Sequence, residues 1–240
     1  MTGASRGIGE AIALSLASAG YDLSLWARSG DALEAVAAAC IARGAHVDAA
    51  VVDVTDAASV RVAAERTIAS GGELAGLVLN AGAGVWRPIE EESTNVWDAT
   101  IATNLSGAFY VLRTCVEALK EARGGLIVGI SSDSALYPFP SRAAYVAAKT
   151  GMRALLETAR LELRGAGVRV SVVFPARVDT SFKGSHHDAA PGTRPGALSA
   201  GDVAEVVRYL FATPGSVEIR EVHMASLASA FGPFPQCQES

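Results

Sequence analysis

Cysteine is scarce in this chain of 240 residues: Cys40, Cys115 and Cys237 are an odd number with no close spacing. That excludes a disulfide framework and a cysteine-bound zinc site, and it fits a reduced, cytoplasmic protein. Basic charge is also short. Twenty Lys and Arg stand against 25 Asp and Glu, a formal net charge of −5, so the chain lacks the basic face that nucleic acid or an anionic membrane requires of a partner. No apolar run exceeds the eight residues 35–42, far below the ~20 needed to cross a bilayer. The stretch 11–16 followed by Ala17-Ser18-Ala19 loosely imitates a secretory signal, but it is short and Glu10 interrupts the pattern. Linkers, repeats and low-complexity tracts are missing too, which leaves no point at which to divide the chain.

What remains is strongly apolar. Half the residues are hydrophobic and 19% are charged, a balance that buries a large core and excludes disorder. Short β-branched runs at 21–27, 45–52, 74–80, 125–131, 168–174 and 217–224 read as strands. Between them, 7–20, 32–43, 59–70, 93–122, 144–164 and 200–212 read as helices, rich in Ala and Leu and without internal proline. Ser59, Ser93 and Ser199 with Gly201-Asp202 supply helix starts. This alternation predicts an α/β fold: βαβ units forming a parallel sheet covered by helices on both faces, one doubly wound domain over 1–240. Residues 180–198 carry Gly, Pro, Ser and His and are too long for an ordinary connection, so they are expected to form a substrate lid.

Three groups of residues carry chemistry. The first is Thr2-Gly3-Ala4-Ser5-Arg6-Gly7-Ile8-Gly9, a glycine pattern that opens a helix. Gly3 permits a tight turn, Gly7 lets the backbone approach a pyrophosphate, and Gly9 lets the helix pack close to the sheet. The helix start then offers free N–H groups and partial positive charge. The second is Tyr145 and Lys149, four apart on one helix face. A phenol with a pKa near 10 exchanges protons poorly at neutral pH. A neighbouring ammonium is expected to lower it by ~2–3 units, roughly 3–4 kcal/mol, making Tyr145 a general acid for carbonyl reduction or a base for alcohol oxidation. The third is Ser132, thirteen residues before the tyrosine and at the carboxyl end of a predicted parallel strand, where such sheets bind ligands. Ser131 is the alternative by one position.

Read in order, the glycine pattern, Asp53-Val54, Asn80-Ala81-Gly82, Asn104, Ser131-Ser132, Tyr145-Val-Ala-Ala-Lys149, Pro175 and Thr180 resemble the short-chain dehydrogenase/reductase family over nearly the whole chain. The resemblance implies a Rossmann-type domain, and its spacing to the tyrosine favours Ser132 over Ser131. It also implies that Ser132 hydrogen-bonds the substrate oxygen, that Lys149 holds the nicotinamide ribose, and that Asn104 distorts its helix and anchors a water in a proton relay. Asp53 resembles the residue that contacts the adenine ring, and Val178 and Thr180 those that meet the nicotinamide amide and the phosphates. The expected cofactor site is therefore Gly3, Ser5, Arg6, Gly7, Ile8, Gly9, Arg28, Asp53, Val54, Asn80, Ala81, Gly82, Tyr145, Lys149, Pro175, Val178 and Thr180, with no metal. A homotetramer or homodimer through 93–122 and 144–164 is a further implication.

Cofactor choice follows from the end of the second strand. An NAD site wants a carboxylate there for the ribose 2′-OH. Here the run is Leu25-Trp26-Ala27-Arg28-Ser29, with no carboxylate before Asp31. Arg28, assisted by Arg6, suits a 2′-phosphate, which favours NADP(H).

The chain departs from the family's pattern at three places. The family has a strand of several residues before the glycine motif, whereas this chain opens at Met1-Thr2, so the first strand is largely missing. The second and fourth strand positions are expected to lose their shared neighbour and leave backbone groups unpaired, as in a polypeptide whose natural start lies further upstream or in a genuinely altered protein. The usual Pro-Gly after the sixth strand is Pro175-Ala176, and 217–224 lacks the common glycine-rich close. His186-His187 read as polar lid residues rather than metal ligands, and His46 and His223 as structural side chains. Trp26, Trp86 and Trp97 read as packing residues, with Trp86 also placed to edge a substrate pocket. The expected function is an NADP(H)-dependent oxidoreductase interconverting a ketone or aldehyde and an alcohol. One competitor is a 3-oxoacyl thioester reductase, for which the lid offers Lys183 and Arg194 as basic contacts. Another is a non-catalytic NADP-binding sensor or scaffold. Residues 85–92, 133–143 and 180–198 shape the pocket, and none is diagnostic of one molecule.

Overall fold

Helices and strands alternate through the computed structural model, which describes residues 1–70, 72–122, 124–182 and 192–229. In chain order they are α1 (Gly7–Ser18), β1 (Leu23–Ala27), α2 (Gly30–Ile41), β2 (Val47–Val51), α3 (Ala57–Ala69), β3 (Gly76–Leu79), α4 (Thr94–Ile101), α5 (Gly107–Glu121), β4 (Leu126–Ile130), α6 (Ala143–Leu163), β5 (Arg169–Pro175), β6 (Val178–Asp179), β7 (Leu198–Ser199), α7 (Ala200–Ala212) and β8 (Glu221–Met224). Strand pairing is parallel throughout: β1 with β2, then β3-β4-β5-β8 in that order, with β6 and β7 as a separate short pair.

The apolar strands are explained by helices on both faces. Successive residues of a strand point to opposite sides, so Ile127 packs with Val60 of α3, Val111 of α5 and Leu156 of α6. Val128 packs with Ile12 and Leu16 of α1 and Val207 of α7. Leu25 meets Leu33 and Val36 of α2. The predicted doubly wound architecture is what the chain forms, and no helix among the described residues is long and apolar enough to cross a membrane.

The expected gap beside β1 is bridged. No strand precedes α1, but Met1 and Thr2 lie between β1 and β3. Trp26 N–H donates to the Met1 carbonyl at 2.9 Å, Ala4 N–H to Trp26 O at 3.2 Å, and Thr2 N–H to Val78 O at 3.0 Å. Trp26 and Val78, whose backbone groups face this point, are thus met by Met1, Thr2 and Ala4. The buried Thr2 hydroxyl oxygen also accepts from the backbone N–H groups of Asn80 and Ala81, both at 3.1 Å.

Other expectations need local correction. Ser93 and Ser199 cap α4 and α7, the latter in a reciprocal box with Asp202. Ser59, however, lies inside α3, whose cap is Asp56 accepting from Ala58 N–H, because the carboxylate three residues earlier reaches the free donors first. Residues 93–122 are two α-helices joined by a π-helical segment, Ala102–Ser106. In 217–224 only Glu221–Met224 is strand. Trp97 is 41% exposed rather than packed. His46 is exposed, and the exposed His223 sets its ring edge-on against Phe174 at 5.0 Å. Of the expected lid, 183–191 lie outside the described residues, including Lys183, His186 and His187. Its two ends are held together by β6–β7 pairing. Cys237 also lies outside the described residues.

Thr2→Val keeps the shape of the bridge and removes its acceptor, leaving two part-buried N–H groups without it. Equilibrium urea denaturation is expected to show a loss of about 1–3 kcal/mol with an unchanged m-value. A loss under about 0.5 kcal/mol contradicts the bridging role.

Candidate active site

The carboxyl ends of β1, β3, β4 and β5 feed loops that line one cleft of about 610 Å³, within the ~300–1,000 Å³ of cofactor and small-molecule sites. Among the described residues, every one expected to contact a cofactor or substrate lines it, while Asn104, expected to hold a water, is fully buried.

The glycine turn has a geometry that needs glycine at all three positions. Gly3 and Gly7 have φ of +66° and +57°, which side chains on L-residues rarely adopt. A Cβ on Gly9 would sit 2.0 Å from the Gly3 carbonyl oxygen and 2.6 Å from Asn80 Nδ2. Gly9 therefore lets α1 close on the turn and on Asn80, the residue that follows β3 at the end of the sheet. Asn80 in turn donates to the carbonyls of Thr2 at 3.2 Å and Gly3 at 3.0 Å, fixing the turn from below. Arg6, at the cap position of α1, makes no capping bond, and Gly7, Ile8 and Gly9 all line the cleft, so among the described residues the first turn of α1 opens to it uncapped.

Charge in the cleft runs against the protein's net −5. Arg6, Arg28, Arg142, Lys149, Arg177 and Arg194 line it, against Asp53 and Asp133. Asp53 is tied down by the backbone N–H (2.9 Å) and hydroxyl (2.8 Å) of Thr55. Those bonds, the backbone one foremost, hold its carboxyl below the usual range against a burial cost, with Arg28 adding attraction. Asp31 is absent from the lining. A glycine cradle, an uncapped helix start and exposed Arg6 and Arg28 beside it fit a nicotinamide dinucleotide bearing an extra phosphate.

Ser132 and Ser131 diverge at the end of β4. Ser131 turns away, its hydroxyl donating to the Lys149 carbonyl at 3.4 Å. Ser132 faces the cleft. Its hydroxyl donates to Asp133 Oδ1 at 2.9 Å and accepts from Ser134 N–H at 3.1 Å. Tyr145 and Lys149 are both buried on α6. Lys149 Nζ donates to Ile130 O at 2.9 Å and stands 5.8 Å from the Tyr145 ring centre.

The expected lowering of the phenol is not what this protein without a ligand displays. Burial pushes Tyr145 up to about 12, outweighing the downward pull of the Ser132 hydroxyl; Asp133 adds to the rise and Arg142 opposes it. Burial likewise brings the Lys149 ammonium down to about 8, because it disfavours the charged form of both groups.

Asn104 stands behind this pair, inside the π-helical segment. Its Nδ2 donates to Ala83 O at 2.7 Å and Thr100 O at 2.8 Å. Its Oδ1 is buried without a partner among the described residues. The point a Cβ on Gly82 would occupy lies 2.8 Å from that oxygen and 3.5 Å from Lys149 Nζ. The bare glycine therefore leaves both polar atoms facing one small space.

Sequence reading missed the individual residues opposite Tyr145, though it named their segments. Trp86 does edge the cleft, meeting the Tyr145 ring edge-on at 5.0 Å. Phe182 lies 6.0 Å from Tyr145 and 6.3 Å from Trp86. Phe139, Asp133 and Arg142 complete this wall. The one available signal was Arg142's place three residues before Tyr145, on the same side of the helix start.

A family model described as short chain dehydrogenase matches residues 1–190. D-threitol dehydrogenase of Mycolicibacterium smegmatis is 36% identical over 231 residues, which cover 96% of this chain and 86% of that protein. The 3-oxoacyl-acyl-carrier-protein reductase of Staphylococcus aureus is 35% identical over 176 residues, 73% of this chain and 72% of its own. Among solved structures, an alcohol dehydrogenase of the archaeon Thermococcus sibiricus, complexed with 5-hydroxy-NADP, superimposes with a TM-score of 0.90. It is 36% identical, and the match covers 97% of each chain.

The buried lysine gives a pH test. Below pH 8 its charge is held in both folded and unfolded chains, so the folded state bears the full cost of burial. From pH 8 to 10.5 the folded chain sheds the proton first, and stability rises with pH. Tyr145 acts oppositely above pH 10, where only the unfolded chain ionises. Lys149→Met is therefore expected to stabilise the fold at pH 7 by about 2 kcal/mol: roughly 3 from relieved charge burial, less about 1 for the lost bond to Ile130. That advantage should shrink between pH 8 and 10.5 in urea denaturation series. A difference independent of pH contradicts a charged, buried Lys149.

Proposed function

Because this chain belongs to the short-chain dehydrogenase family, we propose that it interconverts a ketone or aldehyde and an alcohol using NADP(H). The carrying observation is that Ser132, Tyr145 and Lys149 line the same cleft as the glycine turn and Arg28. The relatives add support, since a D-threitol dehydrogenase, an alcohol dehydrogenase and a 3-oxoacyl reductase all work on carbonyl–alcohol couples.

The cofactor supplies the hydride chemistry when bound, and this chain's residues do the rest. The glycine turn with the start of α1 holds the pyrophosphate. Arg6 and Arg28 hold the 2′-phosphate, an assignment supported by the NADP analogue in the archaeal structure. Asp53 and Val54 border the adenine, Asn80, Ala81 and Gly82 the central part, Lys149 the nicotinamide ribose, and Pro175, Val178 and Thr180 the nicotinamide. Tyr145 gives its phenolic proton to the forming alkoxide in reduction and takes it back in oxidation. Burial holds the phenol in its protonated form at neutral pH, so its part in proton exchange needs the lowering that a bound ligand and the nearby ammonium would supply. Ser132 holds the reacting oxygen; donating to a carbonyl requires its hydroxyl to turn away from Asp133 about the Cβ–Oγ bond. Asn104 Oδ1 faces the Lys149 ammonium across the space above Gly82, the place for a relayed proton.

Arg194 lines the cleft and supports a second reading, reduction of a 3-oxoacyl thioester. We place the enzyme in the cytoplasm as a homotetramer or homodimer, associating through α4, α5 and α6, where Trp97, Phe109 and Leu161 leave apolar surface exposed.

NADPH oxidation against a panel of ketones and aldehydes tests the reading. Tyr145→Phe is expected to lower kcat/KM by about 10²- to 10⁴-fold, with NADPH binding retained by fluorescence titration. Unchanged activity refutes the acid–base role, and NADPH binding without turnover of any carbonyl favours a sensor.

Arg28→Ala is expected to raise KM for NADPH by about 10- to 100-fold, the worth of a charge-assisted bond, and to leave KM for NADH nearly unmoved. Equal effects on both cofactors exclude 2′-phosphate recognition by this residue.

A further inference from the structure

Asp133 adjoins Ser132 in the cleft, and the mechanism above gives it no task. Ser132 caps a short 3-10 turn, Asp133–Ala135, and this places two partners on its hydroxyl at once. The oxygen accepts from Ser134 N–H at 3.1 Å, and the proton goes to Asp133 Oδ1 at 2.9 Å. A serine hydroxyl has one proton and two lone pairs. With the proton given to Asp133 and one lone pair filled by Ser134, a single lone pair is left for a molecule entering the cleft. Held this way, Ser132 accepts and cannot donate.

Moving one proton onto Asp133 inverts this count. A neutral carboxylic acid carries an O–H of its own, which at the same contact donates to the Ser132 oxygen. Both lone pairs are then filled, by Asp133 and by Ser134, and the Ser132 proton is the valency left over. A substrate alcohol brings a proton and needs an acceptor, whereas a ketone brings only lone pairs and needs a donor. The two forms of Asp133 thus suit the two sides of the couple.

Its neighbours leave the carboxyl free to change form. Among the described residues, the charged and titratable groups that face it are Arg142, at the start of α6, and Tyr145 on the same helix. The Arg142 guanidinium lies over two aromatic rings, with Cζ 4.6 Å from the centre of Trp86 and 4.7 Å from that of Phe139, and reaches Ser134 Oγ at 3.4 Å. Burial raises the Asp133 carboxyl above the usual range, against the Ser132 bond and the attraction of Arg142. Asp53, the other carboxylate among the described residues of the lining, is held below that range, so the two titrate in separate windows.

We propose that Asp133 is a positioning residue that sets the polarity of the Ser132 hydroxyl: as a carboxylate it makes Ser132 an acceptor for a substrate alcohol, and as an acid it makes Ser132 a donor to a ketone or aldehyde. The proposal rests on the carbonyl–alcohol reading of this site.

KM is measured for one ketone with NADPH and for its alcohol with NADP, from neutral pH downward through the carboxyl range. The ketone KM is expected to fall with pH by about 10- to 100-fold, the worth of a hydrogen bond to a charged group that no longer competes for the Ser132 proton. The alcohol KM is expected to rise. A residue with a merely structural role would move both in one direction. Asp133→Asn keeps a donor and an acceptor without titrating, so it should hold the ketone KM near its acid value at every pH and flatten both profiles. Asp133→Glu, which titrates, should restore part of the slopes. Should Asp133→Asn not fold, the wild-type profiles still decide. Parallel or flat wild-type profiles, or an Asp133→Asn enzyme with the wild-type slopes, overturn the proposal. If turnover in those cases still disappears in Tyr145→Phe, the oxidoreductase reading stands and only the role of Asp133 is lost. Turnover that is independent of Tyr145, or no turnover of any carbonyl, overturns both.

Discussion

A reciprocal clamp between residues 2–3 and 80–81 holds this molecule together at its functional edge. The Thr2 hydroxyl receives the backbone N–H groups of Asn80 and Ala81, while the Asn80 amide holds the carbonyls of Thr2 and Gly3. Two consequences follow from these four bonds. The β1–β2 pair is joined to the β3-β4-β5-β8 sheet through residues 1–4, where an open gap was expected. The glycine turn is also held in the one conformation in which Gly9 lies against the Gly3 carbonyl, so the cleft floor is set before any ligand arrives.

Behind that floor the fold buries groups that water would hold at lower free energy. Lys149 is 3% exposed with one backbone acceptor, Asn104 keeps a carbonyl oxygen without a protein partner, and Tyr145 sits in apolar surroundings. Each is a cost to stability that a purely structural helix pair would not carry. They converge on the space left open by Gly82, where a side chain would collide with Asn104 Oδ1. The π-helical turn at Ala102–Ser106 belongs to the same device, because an extra residue in the turn lets Asn104 bond both its own helix and the loop at Ala83.

Much of this was legible in the chain. Strand and helix existence followed from hydrophobic period and proline placement, since a sheet covered on both faces needs continuous apolar runs. The glycine pattern, Ser132, Tyr145 and Lys149 were legible because each residue type is nearly irreplaceable for its chemistry. The element ends were less so: Asp56 rather than Ser59 caps α3, and β8 is half its predicted length, because caps and pairing partners are chosen by local competition. The direction of the Tyr145 shift was misread for a related reason. Proximity of an ammonium is visible in the spacing of two residues, whereas their desolvation depends on everything packed around them.

Residue identity alone was enough to establish the fold class and the order of the segments that line the cleft, since those depend on local pattern and on chemistry that few side chains possess. Folding decided the remainder: that Met1, Thr2 and Ala4 bond to β1 and β3, that the Ser131 hydroxyl bonds the Lys149 carbonyl while that of Ser132 bonds Asp133, and that Trp86 and Phe139 from separate loops hold Arg142 beside the phenol. Contacts between distant segments leave no trace in spacing, because each loop's path is set by the helix and strand ends it joins rather than by its own residues.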